Sequence, residues 1–218
     1  MTMTETHIIE TRTHGRYLTR RGASQRKILI GFHGYGESAE LHMAELEKIG
    51  VDWTLVAVQA LHPFYTKSQE VVASWMTRQD REQAIADNID YVQRVVDELG
   101  TYEKLVFLGF SQGVAMAYRA AAKIGCDGVI ALAGDVPPDV ETQWSAGVLA
   151  GGIAPERRRD AGAPPVLIGR GERDDWYTAE KLNKDLKSLP TAKSCVFDGG
   201  HEWYEAFRDA SRRFLEAR

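Results

Sequence analysis

Gly109-Phe110-Ser111-Gln112-Gly113 stands between two stretches of different character. Before it, Lys104-Leu105-Val106-Phe107-Leu108 is a short apolar run of the kind that forms a buried strand. After it, the stretch from Val114 to Ala122 is rich in alanine and predicts a helix. Strand, G-x-S-x-G and helix together make the context of a nucleophile elbow. There the serine sits on a sharp turn with its hydroxyl exposed, and the glycines admit the strained backbone and the close helix–strand approach. A glycine-rich turn alone also fits five residues with three fixed positions. The flanking elements and the partner residues must therefore carry the reading.

Outward from the elbow, strands of a few residues alternate with helices. Lys27 to Phe32 is a buried strand that runs into His33-Gly34-Tyr35-Gly36-Glu37-Ser38, and a helix follows through Leu41, Met43, Leu46 and Ile49. Thr54 to Val58 is the next strand, followed by a loop from Gln59 to Trp75. Ile85, Ile89, Val92, Val96 and Leu99 step by four and three along one face of a long helix, which Gly100 stops. Beyond the elbow come the strands Gly128 to Ala133, Pro165 to Ile168 and Ser194 to Phe197. A helix through Ala179, Leu182, Leu186 and Leu189 lies between the last two, and a closing helix packs through Trp203, Phe207, Ala210 and Phe214. Ahead of all this, Ile8 to Arg12 and Arg16 to Thr19 flank a His-Gly turn and predict an antiparallel hairpin. The pattern as a whole predicts an α/β fold with a mostly parallel central sheet and helices on both faces. It reads as one domain over residues 1–218, with 135–165, rich in proline and glycine and carrying Arg157-Arg158-Arg159, as a solvated loop or small lid.

Composition narrows the functional classes. Of 218 residues, 44% are hydrophobic, enough for a substantial core. The 27 basic and 31 acidic side chains leave a net charge of −4, which argues against a nucleic-acid partner. The polar start Met1-Thr2-Met3-Thr4-Glu5-Thr6 lacks the apolar core of a signal peptide, and no apolar run approaches the ~18 residues of a membrane span. Cys126 and Cys195 fall in or beside apolar segments and read as free thiols, which suits the cytoplasm. No His, Asp or Glu cluster has metal-ligand spacing, and the elbow lacks the G-x-G-x-x-G spacing of a dinucleotide site. Neither a metal nor another cofactor is expected. A homo-oligomer stays open.

A serine hydroxyl needs a base, and the base needs an acid that fixes its tautomer. Of six histidines, His7 and His14 lie in the N-terminal segment, and His42 and His62 have no motif around them. His201 stands in Asp198-Gly199-Gly200-His201-Glu202-Trp203, between the last strand and the last helix, where it can reach the elbow. Gly171-Glu172-Arg173-Asp174-Asp175 follows the preceding strand. Asp174 is the expected acid, with its neighbour Asp175 and the more distant Asp135 as alternatives. The order Ser111, Asp174, His201 is that of α/β-hydrolases. The oxyanion donors are then the backbone N–H groups of Gln112, after the serine, and of Tyr35, in the loop after an early strand. His33 is expected to be a structural, hydrogen-bonded residue. Tyr35, Phe64, Tyr65, Trp75, Trp176 and Trp203 lie near strand ends and are expected to wall a narrow pocket for short or aromatic acyl groups, although the helical spacing of Trp203 suits the core equally.

Four blocks together, Phe32 to Glu37, Gly109 to Gly113, Gly171 to Asp174 and Gly200-His201-Glu202, resemble the signature blocks of the phospholipase/carboxylesterase family, which includes the acyl-protein thioesterases. The resemblance runs from about Lys27 to the C-terminus. It implies the α/β-hydrolase fold and hydrolysis of a small-molecule carboxylic ester or thioester through a serine acyl-enzyme, without a cofactor. The chain departs from the usual family pattern at Tyr35 and Glu37, at Trp176-Tyr177 and at Val114, and these departures bear on the substrate. A peptidase, a lactonase or an acyltransferase on the same machinery is the alternative. A catalytically idle binding protein is a further one, against which the complete Ser/Asp/His set argues.

Overall fold

The computed structural model describes residues 3–50, 52–145, 163–189 and 191–218. Its centre is a seven-stranded sheet built from β1 (Tyr17–Arg20), β2 (Ser24–Phe32), β3 (Trp53–Val58), β6 (Lys104–Phe110), β7 (Gly128–Leu132), β8 (Val166–Gly171) and β9 (Lys193–Phe197). The spatial order is β1-β3-β2-β6-β7-β8-β9. Only β1 runs antiparallel, against β3; the other pairs are parallel, so the carboxyl ends of β2, β6, β8 and β9 lie along the same edge.

Both faces of this sheet are covered at its centre, which is why β3, β6, β7, β8 and the second half of β2 are buried at nearly every position, while the edge strands β1 and β9 are largely exposed. Alternate residues divide between two cores. Ile28, Ile30, Phe32, Leu105, Phe107, Val129, Val166 and Ile168 meet α2 (Arg81–Glu98), α3 (Gln112–Ile124), α4 (Pro138–Ser145) and α5 (Ala179–Ser188). Leu29, Leu55, Val106, Leu108, Ile130 and Leu167 meet α1 (Ala39–Glu47) and α6 (Glu205–Glu216) on the opposite face. The period-two side-chain alternation of each strand produces this division.

Several elements differ from the sequence reading. The N-terminal hairpin does not form: only Tyr17–Arg20 is a strand, and Ile8 and Ile9 are exposed. The Arg16 carbonyl instead accepts the Gln59 N–H at 2.9 Å and the Tyr91 hydroxyl at 2.7 Å, so this segment is claimed by the body of the fold. In α1, Leu41 is exposed, and His42 takes the core position beside Met43 and Leu46. The loop after β3 contains a hairpin of its own, β4 (His62–Tyr65) and β5 (Val71–Ser74). The segment read as a loop or lid begins with α4; Arg157-Arg158-Arg159 lies outside the described residues.

Candidate active site

Strand β6 ends in a turn where Ser111 adopts φ 52° and ψ −118°, a conformation that side chains rarely tolerate, before α3 begins at Gln112. Two glycines make this turn sterically feasible. A Cβ on Gly113 would stand 2.1 Å from the Phe32 carbonyl oxygen, and one on Gly109 would stand 2.4 Å from the Gly113 carbonyl oxygen. The helix therefore starts in direct contact with β2, and the Ser111 N–H is anchored on the Leu132 carbonyl at 2.9 Å.

His201, from the loop after β9, places Nε2 2.7 Å from Ser111 Oγ and Nδ1 2.9 Å from Asp174 Oδ2. Asp174 comes from the loop after β8 and is buried. Its second oxygen, Oδ1, accepts the backbone N–H groups of Trp176 at 2.8 Å and Tyr177 at 2.9 Å. With one oxygen saturated by the backbone, the other is aimed at the imidazole. The ring of Phe110 lies 5.3 Å from that of His201, and Trp203 packs on Phe110 in turn.

Asp175 is exposed and forms no hydrogen bond or ion pair with His201; the cap of α5 is the Thr178 side chain, which accepts the Lys181 N–H. Asp135 pairs with Lys181 at 3.7 Å. Of the three aspartates weighed from the sequence, the structure brings Asp174 to His201.

The loop after β2 faces the elbow. Gly34 N–H donates to Glu37 Oε2 at 2.7 Å, and Gly36 N–H and Glu37 carbonyl are tied to Ala73 at 3.0 and 2.9 Å. Burial pushes the Glu37 carboxyl up, while the Gly34 N–H pulls it down. Among the described residues, neither the Tyr35 N–H nor the Gln112 N–H has a hydrogen-bond partner, which leaves both available to a ligand oxygen. His33 is buried, with Nδ1 donating to the Gly34 carbonyl at 2.7 Å and Nε2 accepting the Ala60 N–H at 3.1 Å. Burial lowers its pKa, so the ring is a neutral strut.

The pocket reading is corrected by the structure. The cavity beside Ser111 and His201 is lined by Trp176 and Tyr177 together with Met76, Ala115, Arg81 and Lys181. Of the six aromatics expected there, only Trp176 takes part. Trp75 is fully buried, donates its indole N–H to the His33 carbonyl at 2.8 Å, and packs on Phe32. Phe64, in the neighbouring hairpin, lies with its ring 5.5 Å from that of Tyr35, Tyr35 and Tyr65 are exposed, and Trp203 packs between Phe110, His42 and Phe207. Nearness to a strand end in sequence does not say which way a ring points. Sequence reasoning missed the charged wall, because Arg81 and Lys181 belong to helices with no motif around them. It also missed the Gln112 side chain, although this residue sits inside the motif.

Fold and site together define an α/β-hydrolase. Residues 23–202 match the family described as serine hydrolase (FSH1), and the chain belongs to that family. It is similar in structure to the esterase PE8, at 19% identity and a TM-score of 0.72 over 93% of this chain and 97% of that one. Zea mays acyl-protein thioesterase 2 superposes with a TM-score of 0.73 at 16% identity, over 94% of this chain and 99% of that one. The Bacillus cereus carboxylesterase does so with a TM-score of 0.70 at 12% identity, over 93% and 94%. At such identities the likeness speaks for the fold. No curated protein matches the chain. Among the described residues, no helix is long and apolar enough to cross a membrane, and no group of three or more His, Cys, Asp or Glu side chains is arranged to hold a metal ion.

Proposed function

We propose that this serine hydrolase cleaves carboxylic esters or thioesters of small molecules through an acyl-enzyme on Ser111. The observation that carries the reading is the unbroken line from Ser111 Oγ through His201 to Asp174, at 2.7 and 2.9 Å. In the first half-reaction Ser111 Oγ bonds to the carbonyl carbon while His201 Nε2 takes the hydroxyl proton. Asp174 holds the proton on Nδ1 and stabilises the imidazolium. The Tyr35 and Gln112 N–H groups receive the oxyanion. When the tetrahedral intermediate collapses, the C–O or C–S bond breaks and His201 returns its proton to the leaving group. Water then repeats the sequence on the acyl-enzyme, releasing the acid and restoring Ser111.

A cavity of about 290 Å³ beside Ser111 favours short acyl groups. Neither Cys126 nor Cys195 is paired in a disulfide, which agrees with a cytoplasmic location. The test is a panel of p-nitrophenyl esters, acyl thioesters, anilides and lactones, run with wild type and Ser111→Ala. Hydrolysis of esters or thioesters that is lost in the variant supports the reading. Cleavage confined to amides or lactones rejects it.

A further inference from the structure

The cavity at Ser111 is divided chemically. Its inner wall is apolar and buried, formed by Met76, Ala133 and Tyr177. Its outer wall carries the charged residues Arg81, Lys181 and Asp135, all exposed. Among the described residues, two cations against one carboxylate leave a net positive charge at the mouth of a cavity in a protein whose overall charge is −4. The two cations differ in how far they are already engaged. Lys181 Nζ donates to the Trp176 carbonyl at 2.9 Å and lies 3.7 Å from Asp135. Arg81 forms no hydrogen bond or ion pair among the described residues. Asp139, the carboxylate that feels its charge, is already held by both Nε and Nη2 of Arg119 at 2.8 Å.

We propose that the substrates of this enzyme carry a carboxylate a short hydrocarbon segment away from the scissile ester or thioester, and that Arg81 receives it. The proposal rests on the ester-hydrolase reading above and names the substrate class. A guanidinium matches a carboxylate with two parallel N–H donors, and among the described residues no carboxylate is paired with Arg81. A substrate cation would be repelled by the same wall. The apolar inner surface suits the hydrocarbon segment, and one net positive charge suits a single anion. Arg81 acts here as a specificity residue, away from the reacting atoms.

The anion belongs either to the acyl part or to the leaving group, and two ester series separate these cases. One pairs monomethyl esters of linear dicarboxylic acids with methyl alkanoates of equal length. The other pairs acetyl esters of ω-hydroxy acids with acetyl esters of the corresponding alcohols. Hydrolysis is followed by proton release at constant pH. In at least one series, at one chain length, kcat/KM for the charged ester should exceed that for the neutral ester by about fivefold or more. Arg81→Gln should shrink that ratio, Arg81→Glu should bring it below one, and added salt should lower it in wild type. Arg81 is exposed, so these substitutions remove no buried contact. The proposal is overturned if neutral esters are hydrolysed at least as well as charged ones at every length in both series, or if Arg81→Glu leaves the ratio where it was. Failure to hydrolyse any ester of either kind, with the thioesters of the panel above refused as well, overturns the ester-hydrolase reading itself, and this proposal with it.

Discussion

Gln112 and Trp75, 37 residues apart, are joined by a 2.9 Å hydrogen bond in which the Trp75 N–H donates to Gln112 Oε1. The other end of the same side chain donates to the Met76 carbonyl at 2.9 Å. The end of β5 is thereby fastened to the elbow. Two residues earlier, Ala73 is fastened to Gly36 and Glu37 in the loop after β2. A four-residue span, 73–76, thus sets the separation of the two proposed oxyanion donors.

Gln112→Ala keeps the backbone N–H at the elbow and removes this brace. It leaves the buried Trp75 N–H without an acceptor, a loss of ~1–3 kcal/mol. At ~2–4 °C per kcal/mol for a chain of this size, the melting temperature should fall by several degrees. kcat should fall with it, as the oxyanion donors lose their fixed spacing. Thermal denaturation and steady-state kinetics check both; an unchanged kcat would show that the brace does not serve catalysis.

Asp174→Asn should lower kcat by ~10³–10⁴, because the amide holds His201 in the wrong tautomer. Asp175→Asn should cost under tenfold, since Asp175 is exposed and Thr178 supplies the cap of α5. The two variants are compared on the same ester. A collapse at Asp175 with Asp174 spared would contradict the geometry.

Gly113→Ala tests the steric account of the elbow against a matched control. Its Cβ would stand 2.1 Å from the Phe32 carbonyl oxygen, and β2 cannot retreat because it is paired with β3 and β6 on its two sides. Gly100, at φ +75°, has nothing within 4 Å of its Cβ position, so Gly100→Ala should cost only the ~1–2 kcal/mol of left-handed backbone. Denaturant titration should find Gly113→Ala worse by several kcal/mol, or unable to fold. Equal losses would refute the close approach.

The parts legible in the sequence were those encoded locally. The apolar runs of β2, β6, β7 and β8 stand out because strands covered on both faces cannot alternate with polar residues. The elbow and the His201 and Asp174 loops were readable because glycine and proton-transfer chemistry restrict which residue types work there. The pocket was not readable. Trp75 and Trp176 are the same residue type beside strand ends, yet one is a core strut and the other lines the cavity, a difference of side-chain direction that only packing decides. The β4–β5 hairpin was missed because His62-Pro63-Phe64-Tyr65 carries a proline and no strict alternation. The N-terminal hairpin failed for the opposite reason: a plausible local pattern lost to tertiary contacts at Arg16.

Asp185 gives a pH signature of the layer beneath the acid loop. Burial pushes its carboxyl from the ordinary 3.8 up to about 6, although the Tyr177 hydroxyl and the Val136 N–H hold it down. The fold therefore favours the protonated form. This contribution is fully present below pH ~3.8, is lost as pH rises toward about 6, and changes no further above that. Asp185→Asn stays neutral throughout and still offers an oxygen to Tyr177 at the position of Oδ2. The stability of the variant relative to wild type should rise between pH 4 and 6 and then level off, as followed by urea denaturation. Parallel stability curves across that range would mean that Asp185 is ionised in the fold as readily as outside it.

The central claim is that Ser111, activated by His201 on the elbow of β6, is the nucleophile. Fluorophosphonates phosphonylate serines activated in this way and release fluoride, so intact-protein mass spectrometry reads the claim directly. Wild type should gain one phosphonyl group per chain, mapped by peptide sequencing to Ser111, and Ser111→Ala, folded by circular dichroism, should gain none. Stoichiometric labelling of the alanine variant at another serine would contradict the account.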